Sequence, residues 1–457
     1  MTLLQHYATY VAASQRADLP AAVRHHAQRA LLDWLGALMA GSQSEAAVRL
    51  RLAYADELLS APLTAGLCSV AGTAAISRPR AAAFLNGTIS HIAEFDDIFR
   101  DGIYHPASPT ISAAFALAQA RGLGLEALLK AIVAGYEVST RIAQAVQPSH
   151  YTFFHTTGTA GVFGAAAACA SLLQLTPQQA CDAMATAGTF ASGLQQAFRS
   201  DSMTKPMHAG HAAEVGLNAA LTAQANMSGT PDLLEGAAGF GAAMSQQPRW
   251  ETALDGLGQQ YNIARMTFKN HGCCGHTFAA IDGVAALVAQ HQLKPADIAG
   301  IHLGCYRAAA EVCTYRAPTT PFEAKFSLSY TVAAAVVLGR VRELAFTVET
   351  LADPVLRNLE RRVTVEIDAD CTRTFPSQRS ARVAITLVDG RVLERHQTTR
   401  HGDPDDPLTD AELLDKFYEL CTPRTGEAAA QAMAAIVLAG SDVPLGQLTQ
   451  HWAQASV

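Results

Sequence analysis

The spacing of apolar residues changes near residue 265 of this 457-residue chain. Before that point apolar residues recur every three or four positions, as in the segment 31–38, which is the period of an α-helix with one buried face. No convincing alternating strand precedes the change. After it, the segments 301–305, 363–367 and 383–387 alternate apolar residues with others, as half-buried strands do. The chain is therefore predicted to be mainly α, with a large all-helical domain and a smaller α+β domain.

Short local signals indicate where several elements begin or turn. Residues 18–20 (DLP) combine a capping residue with a proline at the first turn of a helix. Residues 176–179 (TPQQ) and 409–412 (TDAE) carry the capping-box pattern, in which a threonine and an acid or amide three positions later satisfy the free N–H groups of a helix start. Residues 389–390 (DG) are typical of a two-residue hairpin turn.

These signals predict an interrupted helical domain. Residues 1–264 and about 401–457 are assigned to the helical domain, and residues 265–400 to the α+β domain inserted between them. Helical segments are expected within the insert at about 278–292 and 322–340.

Composition excludes several classes of protein. With 49% hydrophobic and 16% charged residues, the chain is too apolar to be disordered. A net charge of -7 leaves no basic surface for nucleic acid or for an anionic membrane. The longest uncharged apolar run, about 160–175, contains several glycines and is shorter than the ~20 residues of a membrane span. No binding to nucleic acid or membrane is expected.

Nine cysteines in a large chain, with no basic and apolar leader at the start, favour reduced thiols and a cytoplasmic location. Sequence motifs for a nucleophile elbow, a phosphate-binding loop and a helical zinc-protease site are all missing. Gly158, Gly161 and Gly164 repeat every three residues, but no strand precedes them, so they favour close helix packing over dinucleotide binding.

Candidate chemical groups concentrate in a few glycine-bearing segments. Lysine is scarce, yet Lys205 and Lys269 each lie among small, polar and histidine residues. Ammonium groups bind carboxylates and, when desolvated, transfer protons, although solvated surface lysines are the simpler interpretation of residue type alone. Histidines recur in the same segments and beside the paired acids Asp96 and Asp97, which suggests a polar pocket with acid–base chemistry.

A metal site is the alternative interpretation of the same residue types. His271, Cys273, Cys274 and His276 are zinc-ligand types, but four ligands within six residues are too cramped for an ordinary tetrahedral site. A metal-dependent hydrolase built on the paired acids and the histidines stays open as a further alternative. The prediction is that the protein uses no metal and no cofactor.

Six stretches, in this order, resemble the MmgE/PrpD family. They span residues 91–330 and read HIAEFDD with YHPAS, GYEVSTR, FHTTGTAGVFGAAAA, MTKPMHAGHAAEVG, FKNHGCCGHT and EAKFSLSY. Each stretch alone is weakly specific, whereas the ordered set is specific. The family includes 2-methylcitrate dehydratases, cis-aconitate decarboxylases and iminodisuccinate epimerases.

The resemblance implies a large helical domain with a smaller α+β lid domain, a homodimer, no cofactor and a small di- or tricarboxylate as substrate. It implies two groups of site residues. The residues expected to be catalytic are His105, His155, Lys205 and Lys269, and those expected to bind substrate are Asp96, Asp97, His271, His276 and Tyr330.

The resemblance also sets the reaction class, a lyase or isomerase that moves a proton at a carbon next to a carboxylate. Glu94 and Ile98 depart from the D-F-D-D-T pattern of the decarboxylase branch, so dehydration of the 2-methylcitrate type is expected first. Epimerisation of the iminodisuccinate type and decarboxylation of cis-aconitate are the alternatives. A catalytically silent homologue that acts as a binding protein is the alternative from another class.

Overall fold

A computed structural model describes residues 1–198, 200 and 202–452 of the chain. The chain divides into two compact units. The first unit comprises residues 1–267 together with the segment that begins at residue 409, and the second unit comprises residues 268–408. Most of the structure is helical, and a four-stranded mixed sheet lies in the second unit. The predicted fold class is thereby confirmed.

The helices of the first unit are α1 (Leu3–Ser14), α2 (Ala21–Ser42), α3 (Glu45–Ala53), α4 (Pro79–Ile92), α5 (Ala107–Ala120), α6 (Leu125–Val146), α7 (Thr156–Thr159), α8 (Gly161–Leu172), α9 (Pro177–Thr189), α10 (Thr204–Gln224), α11 (Phe240–Met244), α19 (Asp410–Thr425), α20 (Glu427–Leu438) and α21 (Gly446–Thr449). Those of the second unit are α12 (Phe278–His291), α13 (Arg307–Val312), α14 (Pro321–Lys325), α15 (Leu328–Leu338), α16 (Val348–Leu351), α17 (Pro354–Glu360) and α18 (Ala369–Thr374). The strands are β1 (Cys68–Ser69), β2 (Ile76–Ser77), β3 (Ile298–Cys305), β4 (Val363–Ile367), β5 (Ala381–Leu387) and β6 (Val392–Gln397).

The predicted helix starts are confirmed where a side chain caps the helix. Thr176 and Thr409 both form complete capping boxes, at the start of α9 and α19 respectively. The predicted helix 322–340 is instead two helices, α14 and α15. The Ser327 hydroxyl accepts a hydrogen bond from the backbone N–H of Tyr330 (3.2 Å) and so starts α15 anew.

The first unit is not purely helical, because β1 and β2 pair antiparallel in it. Each strand has two residues, which is too short to produce an alternating pattern in the sequence.

Helix α8 forms the centre of the first unit, since all of its residues are buried. It packs against α5, α6 and α10. A Cβ atom at Gly164 would lie 2.5 Å from Thr110 Oγ1 and 2.8 Å from Ser139 Oγ, distances that no side chain tolerates. A Cβ atom at Gly161 would likewise lie 2.8 Å from the Pro109 side chain on α5. The prediction of close helix packing is thereby confirmed for Gly161 and Gly164.

Helices α4 and α10 also approach closely through glycine. A Cβ atom at Gly87 would lie 2.9 Å from the Cα of Gly210, and one at Gly210 would overlap with the Phe84 carbonyl and the Thr88 hydroxyl. This crossing lies one turn before the end of α4 and near the start of α10.

The sheet of the second unit has the order β4-β3-β5-β6. Strand β3 pairs parallel with β4 and antiparallel with β5, and β5 and β6 form the hairpin predicted at Asp389-Gly390. The alternating residues Ile301, Leu303 and Cys305 of β3 are buried, as the sequence pattern predicts. Helix α12 packs against β5 and β6.

Across the residues that the structure describes, no helix combines the length and the apolar character needed to cross a bilayer. All nine cysteines lie in the described part of the chain, and none of them forms a disulfide.

The glycine crossing generates a stability prediction. We expect Gly210→Ala to lower the free energy of unfolding by about 1–3 kcal/mol, because the added methyl group overpacks the contact with α4. Gly36→Ala is the matched control: it is also a mid-helix glycine of the first unit, and its Cβ would lie 3.5 Å from the Leu420 side chain, an ordinary contact. Alanine there should be neutral or stabilising by up to about 1 kcal/mol. Thermal unfolding of both variants checks this, and an equal Tm for the two would contradict it.

Candidate active site

Five of the predicted site residues lie in the first unit, on or around a short acid loop. We define the acid loop as residues 94–97; it directly follows the end of α4 and its C-cap residue Ala93. Glu94 has a backbone φ of 61°, in the left-handed region that usually favours glycine. A glutamate in this conformation indicates a loop whose geometry is set by surrounding contacts.

Asp96 is the acid that links the histidines. It is fully buried, and its Oδ2 atom accepts hydrogen bonds from His91 Nδ1 (2.6 Å) and from the Ser108 hydroxyl (3.0 Å). The Nδ1 atom of His105 lies 3.5 Å from the same oxygen. A carboxylate in this position selects the tautomer and the ring orientation of an imidazole. The His91 Nδ1 atom donates to Asp96. When the His91 ring is neutral, its other nitrogen, Nε2, is therefore a hydrogen-bond acceptor in the interior.

The imidazole rings form a continuous group. The ring centroid of His91 lies 4.9 Å from that of His105 and 5.5 Å from that of His155. The ring of His155 in turn contacts that of His208, with 3.1 Å between the two Nδ1 atoms. One of these two nitrogens must therefore carry the proton and the other accept it.

Burial keeps two of these histidines uncharged. It holds the pKa of His155 well below its usual value, and the neighbouring His91 and Lys205 add to this effect. Burial, again with His91 and Lys205, lowers the pKa of His208 to about 4. Both rings are therefore neutral at pH 7, which is the protonation state of a general base.

Lys205 supplies positive charge beside the histidines. It lies in the first turn of α10 and forms an ion pair with Glu94 of the acid loop, and both side chains are 11% exposed. Its Nζ atom lies 5.2 Å from the ring centroid of Phe198, whose ring also packs edge-on against His155. A cation held in so little solvent interacts with a nearby anion more strongly than an exposed lysine does.

Asp97 uses both of its carboxylate oxygens within the fold. Its Oδ1 atom accepts from the backbone N–H of Ala107 (3.0 Å), and its Oδ2 atom accepts from the Tyr136 hydroxyl (2.8 Å). Burial raises the pKa of Asp97 well above its usual value, and the nearby Asp33 adds to the increase. In this structure Asp97 attaches the acid loop to the start of α5, and its predicted contact with substrate stays a prediction.

The other predicted site residues belong to the second unit. Lys269 is almost fully buried. The Nε2 atom of His271 lies 2.9 Å from Asp282 Oδ1, and Asp282 also accepts a hydrogen bond from the backbone N–H of His401. His271 is thus oriented by a carboxylate, as His91 is in the first unit.

His276 and Tyr330 each form a hydrogen bond within the second unit. His276 Nδ1 lies 2.8 Å from the Tyr306 hydroxyl, and burial lowers the pKa of His276 to about 3. The Tyr330 hydroxyl donates to the carbonyl of Ala345 (2.5 Å), so this aromatic residue stabilises the core of its unit. Substrate binding by His271, His276 and Tyr330 stays a prediction.

Sequence reasoning did not select three residues of this group: His91, Glu94 and His208. The signal for His208 was available, since it follows Lys205 by three residues and therefore shares its helix face. His91 and Glu94 lie beside the acids in the sequence, but their contacts depend on how the chain turns after α4.

The same group includes three potential metal ligands. One ligand atom each from His91, Asp96 and His105 lies within 4.8 Å of the other two, and two imidazoles with a carboxylate suit a divalent ion such as zinc. In the crowded cluster at residues 271–276, His271 has Asp282 as a side-chain hydrogen-bond partner and His276 has Tyr306.

Comparison with known proteins finds two family domains. The chain matches the MmgE/PrpD N-terminal domain over residues 5–253 and the MmgE/PrpD C-terminal domain over residues 271–441. The second match includes α19 and α20 and therefore extends beyond the second compact unit.

Its relatives include three proteins named cis-aconitate decarboxylase. The human protein is 27% identical over 433 residues, which cover 91% of this chain and 87% of the relative. The mouse protein is 28% identical over 357 residues, which cover 74% of this chain and 71% of the relative. The protein of Aspergillus terreus is 24% identical over 449 residues, which cover 92% of this chain and 89% of the relative. The resemblance found in the sequence is confirmed, and the chain belongs to the MmgE/PrpD family.

Proposed function

We propose that the protein is a cofactor-independent lyase that moves a proton at a carbon next to a carboxylate of a small polycarboxylate. The observation that carries the proposal is the group of buried imidazoles, oriented by Asp96, beside the Lys205–Glu94 ion pair. This group offers a neutral base, a proton donor and a cation within one part of the first unit.

The proposed chemistry follows from the charges of this group. Removing a proton from a carbon beside a carboxylate, or losing carbon dioxide from that carbon, creates carbanion character, and its negative charge must be stabilised where it develops until a proton is returned. Lys205 supplies the stabilising charge in a site with little solvent. The neutral His155 acts as base, and His105, held near Asp96, acts as the proton donor.

Decarboxylation of a cis-aconitate-like tricarboxylate is the first candidate reaction, because the relatives named above are cis-aconitate decarboxylases and align along most of the chain. Dehydration of a 2-methylcitrate-like hydroxy acid is the second candidate. Glu94 and Ile98, which depart from the decarboxylase pattern, favour the second candidate. Epimerisation is distinguished from both because it releases neither carbon dioxide nor water.

Lys269 and a homodimer belong to the same proposal and rest on the family resemblance. The proposed cytoplasmic location rests on the cysteine content. Light scattering on the purified protein gives the oligomeric state, and kinetics of Lys269→Ala test whether this lysine is catalytic.

Proton exchange is the first test of the proposal. We expect incubation in deuterated water with cis-aconitate, 2-methylcitrate, citrate or iminodisuccinate to cause turnover or loss of a C–H signal in proton NMR for one of these acids. Lys205→Ala should lower kcat/KM at least about a hundredfold, because it removes the charge that stabilises the intermediate.

Lys130→Ala is the control for this test, since Lys130 lies on α6 and its Nζ atom donates to the Gln15 carbonyl, outside the histidine group. Wild-type activity in Lys205→Ala would contradict the assignment. Absence of exchange with all four acids, by a folded protein, would favour the silent homologue.

Metal removal is a second test. We expect dialysis against a strong chelator to leave kcat/KM unchanged, because the proposed site uses Lys205 and not a metal as its cation. Metal content and activity are measured on the same sample before and after dialysis. A loss of activity that zinc or iron restores would contradict the proposal and would point to His91, Asp96 and His105 as ligands.

A further inference from the structure

A buried lysine from the C-terminal part of the chain contacts the acid loop. Lys416 lies on α19, more than three hundred positions after the loop, and is 1% exposed. Its Nζ atom donates to Asp33 Oδ1 on α2 (2.6 Å) and to the backbone carbonyl of Phe95 (2.8 Å). Phe95 is the residue between Glu94 and Asp96.

The contact between Lys416 and the Phe95 carbonyl lies next to a residue with an unfavourable backbone conformation. Glu94 adopts a left-handed conformation that residues other than glycine rarely adopt, so the loop depends on contacts outside itself. Lys416 supplies such a contact at the next residue.

The Phe95 side chain is held by the same helix. It belongs to a small buried cluster with Ala37, Ala40, Ala93 and Leu420. Leu420 follows Lys416 by one helical turn, so α19 holds both the ring and the carbonyl of Phe95.

The charge of Lys416 has a second consequence. Asp33 is fully buried, and a buried carboxylate is strongly unfavourable unless a positive charge lies beside it. It also raises the pKa of Asp97, so the two buried acids interact. The Lys416 ammonium, 2.6 Å from Asp33 Oδ1, compensates this negative charge.

We infer that Lys416 is a positioning residue for the acid loop: through the Phe95 carbonyl it fixes Glu94 against Lys205 and Asp96 against His91 and His105. The inference rests on the proposed function, because it assigns the contact a catalytic consequence. It makes α19, which lies outside the motif segments, part of the machinery that orients the catalytic groups.

The test must separate positioning from a purely structural role. Lys416→Met keeps much of the side-chain volume but takes the Lys416 ammonium away from the buried Asp33 carboxylate. The double variant Asp33→Asn/Lys416→Met removes both charges and so avoids burying the carboxylate without this ammonium, yet it still lacks the donor to Phe95. Asp33→Asn alone keeps that donor. Val437→Ala, on α20, is the control: it creates a cavity in the same C-terminal segment, at a buried residue that is not part of the Phe95 cluster.

We expect kcat to fall at least about tenfold in Lys416→Met and in the double variant, because misplaced catalytic groups lower the rate more than they lower binding. The double variant should recover most of the Tm that Lys416→Met loses. Asp33→Asn and Val437→Ala should keep a kcat near that of the wild type when each is assayed well below its Tm.

Hydrogen exchange measured by mass spectrometry gives a readout that does not depend on activity. Peptides covering residues 93–99 should exchange faster in the double variant than in Val437→Ala. A double variant with recovered Tm, wild-type kcat and unchanged exchange would overturn the inference. An inactive wild type would instead contradict the proposed function, and the exchange data would still decide whether Lys416 fixes the loop.

Discussion

The candidate site depends on the close approach of α4 and α10. Gly87 and Gly210 let the two helices touch where any side chain would force them apart. The acid loop begins at the end of α4, and Lys205 and His208 lie in the first turns of α10. The glycine contact therefore brings the acids of one segment to the cation and imidazole of another, and the ion pair of Glu94 with Lys205 follows from it.

Burial then determines the charges of the groups that meet there. Imidazoles removed from water lose their protons, which makes His155 and His208 neutral at pH 7. Ammonium groups are paired with carboxylates there, Lys205 with Glu94 and Lys416 with Asp33. One enclosed region thus holds neutral bases next to a lysine, a combination that exposed side chains would not provide.

The C-terminal segment contributes to this region although it lies outside the six stretches that carry the sequence resemblance. Helix α19 packs against α2, and the Lys416 side chain reaches the acid loop from there. The first unit is therefore assembled from both ends of the chain, and the loop that carries Glu94 and Asp96 is held by residues from α2 and α19.

The sequence by itself determined the local features: the capping boxes at Thr176 and Thr409, the hairpin at Asp389-Gly390 and the residue types that define the family. These depend on hydrogen bonds and periodicity between near neighbours, which the chain order contains. Only the tertiary structure decided that Asp96 links two histidines, that the Tyr330 hydroxyl binds a core carbonyl, and that Lys416 contacts Phe95. Lys416 and Phe95 are 321 positions apart and meet only through helix packing. Asp96 and His91 are close in sequence, but their contact depends on how the chain turns after α4.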